Sequence, residues 1–174
     1  MTYIFELPFA QWLGLLSFAL GIIAFSQKND RSLKIVMLIL NINHMLHYLF
    51  LGSFISALSA LLGAVRTGTS IYTSSVYAAL FFVGAGILSA FWAADSVLDL
   101  LPVLGGIIGT ISVFMLQGIK MRIGFLLGAL CWLINNIVVG SIGGVMLEST
   151  LVSVNLLTIY RLHSEGKADY AIEK

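Results

Sequence analysis

A single cysteine, two prolines and few charges distinguish this 174-residue chain. Cys131 lies alone in an apolar run, so neither a disulfide framework nor a thiolate zinc cluster can be built. Charged residues make up only 10%, against about 25% in soluble domains. Nine Lys and Arg face eight Asp and Glu, a formal net charge of +1, so no basic stripe exists to hold nucleic acid. The dinucleotide-binding, phosphate-loop and nucleophile-elbow motifs are all missing. What the chain has in excess is apolar surface: 59% of its residues and a mean hydropathy of +1.02. A domain of this size keeps roughly 30% of its unfolded surface wet, so a water-soluble globule is excluded.

A helix needs about 20 mostly apolar residues to cross about 30 Å of hydrocarbon. Seven segments qualify on reading: 9–26, 33–51, 54–73, 76–93, 97–116, 121–139 and 144–162. The expected fold is therefore an all-α polytopic membrane protein in one membrane domain, with a tail over 163–174. The start, MTYIFELPFA, holds Glu6 and no basic residue, unlike the basic leader of a cleaved signal peptide, so the first segment is read as a span. With the N-terminus outside, Lys28, Arg31, Lys34, Arg66, Lys120, Arg122, Arg161, Lys167 and Lys174 all fall on or near the cytoplasmic side. Glu6, Asp95 and Asp99 fall outside. This is the positive-inside pattern, and it predicts N-out and C-in.

A shift of 88 residues lays 12–72 on 100–160 without a gap and gives ten identities, Gly52/Gly140 and Ser53/Ser141 among them. Ser17, Gly21 and Ala24 map to Gly105, Gly109 and Ser112, a spacing that lets helix backbones approach closely in lipid. Three spans reverse direction and a fourth restores it. The plan expected is 3+1+3: repeat one over 9–73, a linker helix over 76–93 and repeat two, parallel to the first, over 97–162. Parallel repeats related by an axis along the membrane normal are one transporter plan.

Polar side chains inside hydrocarbon need partners or water. Ser56, Ser59, Gly63, Arg66, Thr67 and Ser70 of the third span fall within one arc of about 100° and predict a protein- or cavity-facing stripe. The alternative for Arg66 is a guanidinium that snorkels to the cytoplasmic headgroups. Asn41, Asn43, His44, His47 and Tyr48 cover about 160° of the second span. They read as pocket lining or a proton relay, or as plain interhelical hydrogen bonding. Trp132, Asn135 and Asn136 on the sixth span, and Glu148, Asn155 and Thr158 on the seventh, complete the set. Asn135 is the repeat-mate of His47, Asn136 of Tyr48 and Asn155 of Thr67. Glu148 is the one acid well within a span. It reads as an outward-facing interface residue, with a protonatable coupling site as the alternative. No paired carboxylates suit an ion-driven pump, and the one obvious third metal ligand beside the two histidines, Glu148, is on a distant span.

LPVLGGI (101–107), KMR (120–122), CW followed by Asn136, GSIGGVMLE (140–148) and Asn155 occur in an order that resembles the YgjV-like bacterial inner-membrane proteins. In the first half, His47 five residues before Gly52, then Ser59 and Arg66, are similar to the same family. The resemblance covers nearly the whole chain and implies a small polytopic protein of the bacterial inner membrane. It implies no substrate. More distantly, the 3+1+3 plan looks like the SWEET sugar facilitators and the PnuC vitamin transporters, whose central cavities use Asn and aromatic side chains. Asn155 with Trp132 would be similar in kind. The PQ motif of the SWEET-type clan is absent, and the prolines are only Pro8 and Pro102.

The function expected is a small-solute facilitator, not an enzyme, working by alternating access about a mid-depth cavity. That cavity would be lined by His47, Tyr48, Ser59, Arg66, Thr67, Trp132, Asn135, Asn136 and Asn155, with Glu148 and His44 as proton sites. No cofactor or metal is expected. The partners expected are the lipid bilayer and a small polar solute, with self-association left open and nucleic acid excluded. The rival is a non-transporting membrane scaffold. A weaker one is an intramembrane metal enzyme built on His44, His47 and Glu148.

Overall fold

The structure, a computed structural model, describes residues 8–26, 30–73, 75–116 and 118–172. Glu6, Lys28 and Lys174 lie outside the described residues, as do the side chains of Arg122, Thr158, Arg161 and Lys167. The described residues form seven α-helices and no strand: α1 (Phe9–Ser26), α2 (Asp30–Phe50), α3 (Phe54–Ser70), α4 (Val76–Ala93), α5 (Leu100–Met115), α6 (Gly118–Val138) and α7 (Ile142–Ile172). A short 3₁₀ turn, Val97–Asp99, leads into α5.

Local chemistry sets the helix ends. Ser75 caps α4 by accepting from the Tyr77 N–H at 3.2 Å. Ser96 and Asp99 form a reciprocal capping box ahead of α5. Pro102 falls in the first turn of α5, where its missing N–H has no intrahelical partner to lose. Gly52 ends α2 with φ 78° and Gly140 ends α6 with φ 71°, left-handed backbone that glycine adopts without Cβ strain. At both places the closing bonds are of the Schellman kind: Ser53 N–H to the Tyr48 carbonyl at 3.0 Å and Gly52 N–H to Leu49 at 3.1 Å. Eighty-eight residues on, Ser141 donates to Asn136 at 2.8 Å and Gly140 to Ile137 at 3.3 Å. The bounds of α2 and α6 differ by the same 88 residues at both ends, as do the starts of α3 and α7. The last helix runs well past its expected end, through the polar stretch read as a tail, to Ile172.

Each helix packs on its chain neighbour, and α3 also touches α5. With α1 packed on α7, α1, α2, α3, α5, α6 and α7 close a ring. α4 lies against the α3–α5 groove and buries only the stripe Ala79, Phe82, Gly86 and Ser89. Two backbones come close where α1 meets α7. A Cβ added to Gly143 would stand 2.0 Å from the Gly14 carbonyl carbon and oxygen.

The ring is inverted relative to a soluble bundle. Phe9, Ile22, Ile39, Leu49, Leu88 and Leu157 are exposed, whereas Asn43, His44, His47, Asn135, Asn136 and Glu148 are buried. An outer surface this apolar marks lipid as the solvent. By length and composition, Val76–Ala93 and Val97–Met115 are each long and apolar enough to cross a membrane. Phe9–Ala24, Lys34–Phe50, Ile123–Val138 and Ile142–Leu157 are shorter apolar helices.

Candidate functional site

The interior polar groups gather near the end of the ring that carries the α2–α3 and α6–α7 turns. Tyr48 donates its hydroxyl to Asn136 Oδ1 at 2.7 Å. Its ring stacks on Trp132 at 5.7 Å. His47 Nδ1 bonds the Ala10 carbonyl at 2.6 Å and Nε2 bonds Ser141 Oγ at 2.6 Å. A carbonyl can only accept, so Nδ1 carries the proton and Nε2 accepts from the Ser141 hydroxyl. Ser141 Oγ accepts in turn from the Gly144 N–H at 3.0 Å. Ser53 donates to Ser56 at 2.6 Å, and Ser56 donates to Asn135 Oδ1 at 3.1 Å. Gln11 completes the set, donating to the Gly140 carbonyl at 2.6 Å and accepting from Ile142 N–H at 3.1 Å.

Five of these bonds join α1–α3 to α5–α7: Gln11–Gly140, Ile142–Gln11, His47–Ser141, Tyr48–Asn136 and Ser56–Asn135. All five lie at one end. Tyr48 is two residues from the end of α2, about 12 Å along the axis from that helix's middle. His47, Tyr48 and Asn136 are fully enclosed. Beside these bonds, His44 Nε2, Asn135 Nδ2 and Asn136 Nδ2 are buried without a partner. Buried polar atoms are normally satisfied, so three orphans in one cluster are notable.

The expected single mid-depth cavity is not what the nine residues form. His47, Tyr48, Trp132, Asn135 and Asn136 pack together at the end just described. Ser59 and Arg66 instead line a cavity of about 20 Å³ between α3, α4 and α5, room for one water-sized group. Thr67 accepts from Asn41 at 3.3 Å. Asn155 donates to Leu151 of its own helix at 3.0 Å and has no bond with Trp132.

Two further readings are corrected. Glu148 does not face outward: it is 7% exposed. It shares a helix face with Ser141 and Gly144, and that face is the one turned to the ring interior. Arg66 does not snorkel. Its Nη1 donates to the Gly106 carbonyl at 2.8 Å and to Thr110 Oγ1 at 2.9 Å, and Gly106 stands at the middle of the Val97–Met115 helix. A helical side chain leans toward its own N-terminus, which carries the guanidinium away from the nearer end of α3. Among the described residues no three His, Cys, Asp or Glu converge to hold a metal.

Residues that the sequence left out of the site are Gln11, Ser56, Ser141 and Thr110. Two had a signal. Ser56 lies on the polar stripe of α3, and Ser141 lies in the GSIGG motif opposite its repeat-mate Ser53.

Residues 8–166 match the family of bacterial inner membrane proteins described as Imp-YgjV. The inner membrane protein YgjV of Escherichia coli (strain K12) is 31% identical over 169 residues, 95% of this chain and 92% of that protein. No solved structure matches.

Proposed function

Because the chain belongs to the YgjV family of bacterial inner membrane proteins, we propose that it carries a small polar solute across that membrane by alternating access. In this reading seven spans run N-out and C-in. α1–α3 and α5–α7 are parallel repeats, α4 is the linker, and the bonded end of the ring is the closed outer gate.

The observation that carries the reading is the placement of the described bonds between the triplets: five of seven lie at one end, with three unpartnered polar atoms beside them, and the other two are those of Arg66 to α5. A solute with a carbonyl or hydroxyl can satisfy Asn135 Nδ2, Asn136 Nδ2 and His44 Nε2 together. The parallel arrangement is supported by Tyr48 and Asn136, which are 88 residues apart and touch two residues from the ends of their helices. Inverted repeats would send those ends to opposite faces. Interhelical hydrogen bonds in membranes average about 0.6 kcal/mol each, so five hold the gate by only about 3 kcal/mol. A gate of that strength is reversible.

The test is flux in liposomes with a panel of radiolabelled sugars, nucleosides, vitamins and small acids. The chain carries Gln11→Cys and Ile142→Cys in a Cys131→Ser background. A short bismaleimide that joins the two cysteines is expected to stop a saturable flux seen before cross-linking. No flux of any panel member by folded protein, or flux unchanged by the cross-link, overturns the proposal. The full enclosure of His47 and Tyr48 favours a second reading, a rigid non-transporting scaffold, and the same null results would support it. Orientation is tested separately. Green fluorescent protein fused after Lys174 is expected to fluoresce and alkaline phosphatase fused there to be inactive; the opposite pair of results overturns C-in.

A further inference from the structure

The second interior feature, the cavity between α3, α4 and α5, carries a charge that none of its described partners balances. Arg66 reaches it from α3, and the described partners of its guanidinium are a carbonyl and a hydroxyl, both neutral. Both bonds come from Nη1. An arginine has five N–H donors in a planar fork, so those of Nη2 and Nε remain. A cation inside a membrane bundle ordinarily pairs with an acid or faces water. Also lining the cavity from α3, Ser59 is 5% exposed, and its Oγ has no partner. The surroundings make room for the guanidinium. A Cβ on Gly109 would stand 3.2 Å from Arg66 Nη1, and one on Gly63 would stand 4.0 Å from Nη2.

We propose that this cavity binds one oxyanion group, a carboxylate or a phosphate, held by the Arg66 guanidinium and the Ser59 hydroxyl. The planar fork matches two oxygens of such a group, and the serine, two turns earlier on the same face of α3, supplies a further donor. The volume, about that of one water-sized group, takes the leading edge of the anion and excludes a whole solute. The rest of the molecule leaves under α4, which touches the ring by a single stripe, with Phe82 over the cavity. The group comes from a free small anion or from an anionic lipid that slips its phosphate beneath α4. The site lies apart from the outer bonds and does not depend on transport.

The full chain in phosphatidylcholine nanodiscs is titrated with sodium phosphate and sodium acetate against sodium chloride at constant ionic strength, and its melting temperature is followed. In parallel, protein extracted from bacterial membranes is weighed by native mass spectrometry for retained anionic phospholipid. A saturable rise of several degrees over chloride identifies a free oxyanion. A retained anionic lipid identifies a headgroup. Either result is expected to disappear with Arg66→Gln and to weaken roughly tenfold with Ser59→Ala. Because Ser59 Oγ makes no bond in the protein, Ser59→Ala removes nothing the fold uses, and it decides the matter even if Arg66→Gln does not fold. No saturable shift and no retained lipid overturns the proposal. So does a signal that Ser59→Ala leaves intact.

Discussion

Gly143→Ala is expected to destabilise the protein by at least about 3 kcal/mol, the upper range for overpacking, or to prevent folding outright. The added methyl carbon would lie 2.0 Å from two backbone atoms of Gly14 and 2.4 Å from the Leu15 nitrogen. Backbone cannot swing aside as a side chain does, so α1 and α7 would have to separate. Separation would carry Gln11 away from the α6–α7 turn that it clasps through Gly140 and Ile142. Gly84→Ala is the control. Nothing lies within 4 Å of a Cβ there, and alanine favours the helix by up to about 1 kcal/mol. Thermal melts in detergent, followed by tryptophan fluorescence, measure both variants. A Gly143→Ala protein that melts with its parent would mean that the two helices do not meet at this point.

Tyr48→Ala is expected to cost about 3–5 kcal/mol, the range for truncating a buried aromatic. Tyr48 is the largest fully buried side chain of the interior, stacks on Trp132 and contacts the buried Ala57 and Ala60. Tyr48→Phe keeps the ring and removes one hydroxyl, leaving Asn136 Oδ1 without its donor. Its expected cost is about 1–3 kcal/mol. The ordering of the two variants separates packing from hydrogen bonding. SDS unfolding titrations read both. A loss below about 1 kcal/mol for Tyr48→Ala would show the ring to be dispensable, and the cluster would not be the closure described above.

The helices themselves were legible in the sequence because each contains a long, mostly apolar run bounded by turn residues. Their turns were marked too, by Gly52 and Gly140, the two described residues with positive φ. What could not be read was the neighbour. A period of 3.6 says which face of α3 carries Ser59 and Arg66, and that face is buried as expected. It does not say that α5 and α4, rather than α6, stand opposite. Hence one imagined cavity proves to be two places, the bonded end around Tyr48 and the small cavity at Arg66. Glu148 was misjudged because a lone acid has no periodic partner to orient it. The glycine and serine that share its face, Gly144 and Ser141, held that information. The extension of α7 to Ile172 was missed because its final stretch lacks the apolar signature used to find the other helices. Charged residues sustain a helix in water as well as they end a span.

The Tyr48–Asn136 contact has a consequence for how such a chain can arise. In the proposed arrangement the two residues occupy corresponding positions, so their bond lies on the rotation axis between the halves. In a dimer of identical subunits a residue on that axis meets its own copy. A phenol donating to an amide is a pairing of unlike groups, available only once both halves are encoded separately within one polypeptide. In that arrangement a single polypeptide does more than hold the halves together: it releases the axial position from having to be self-complementary, and an asymmetric bond fills it.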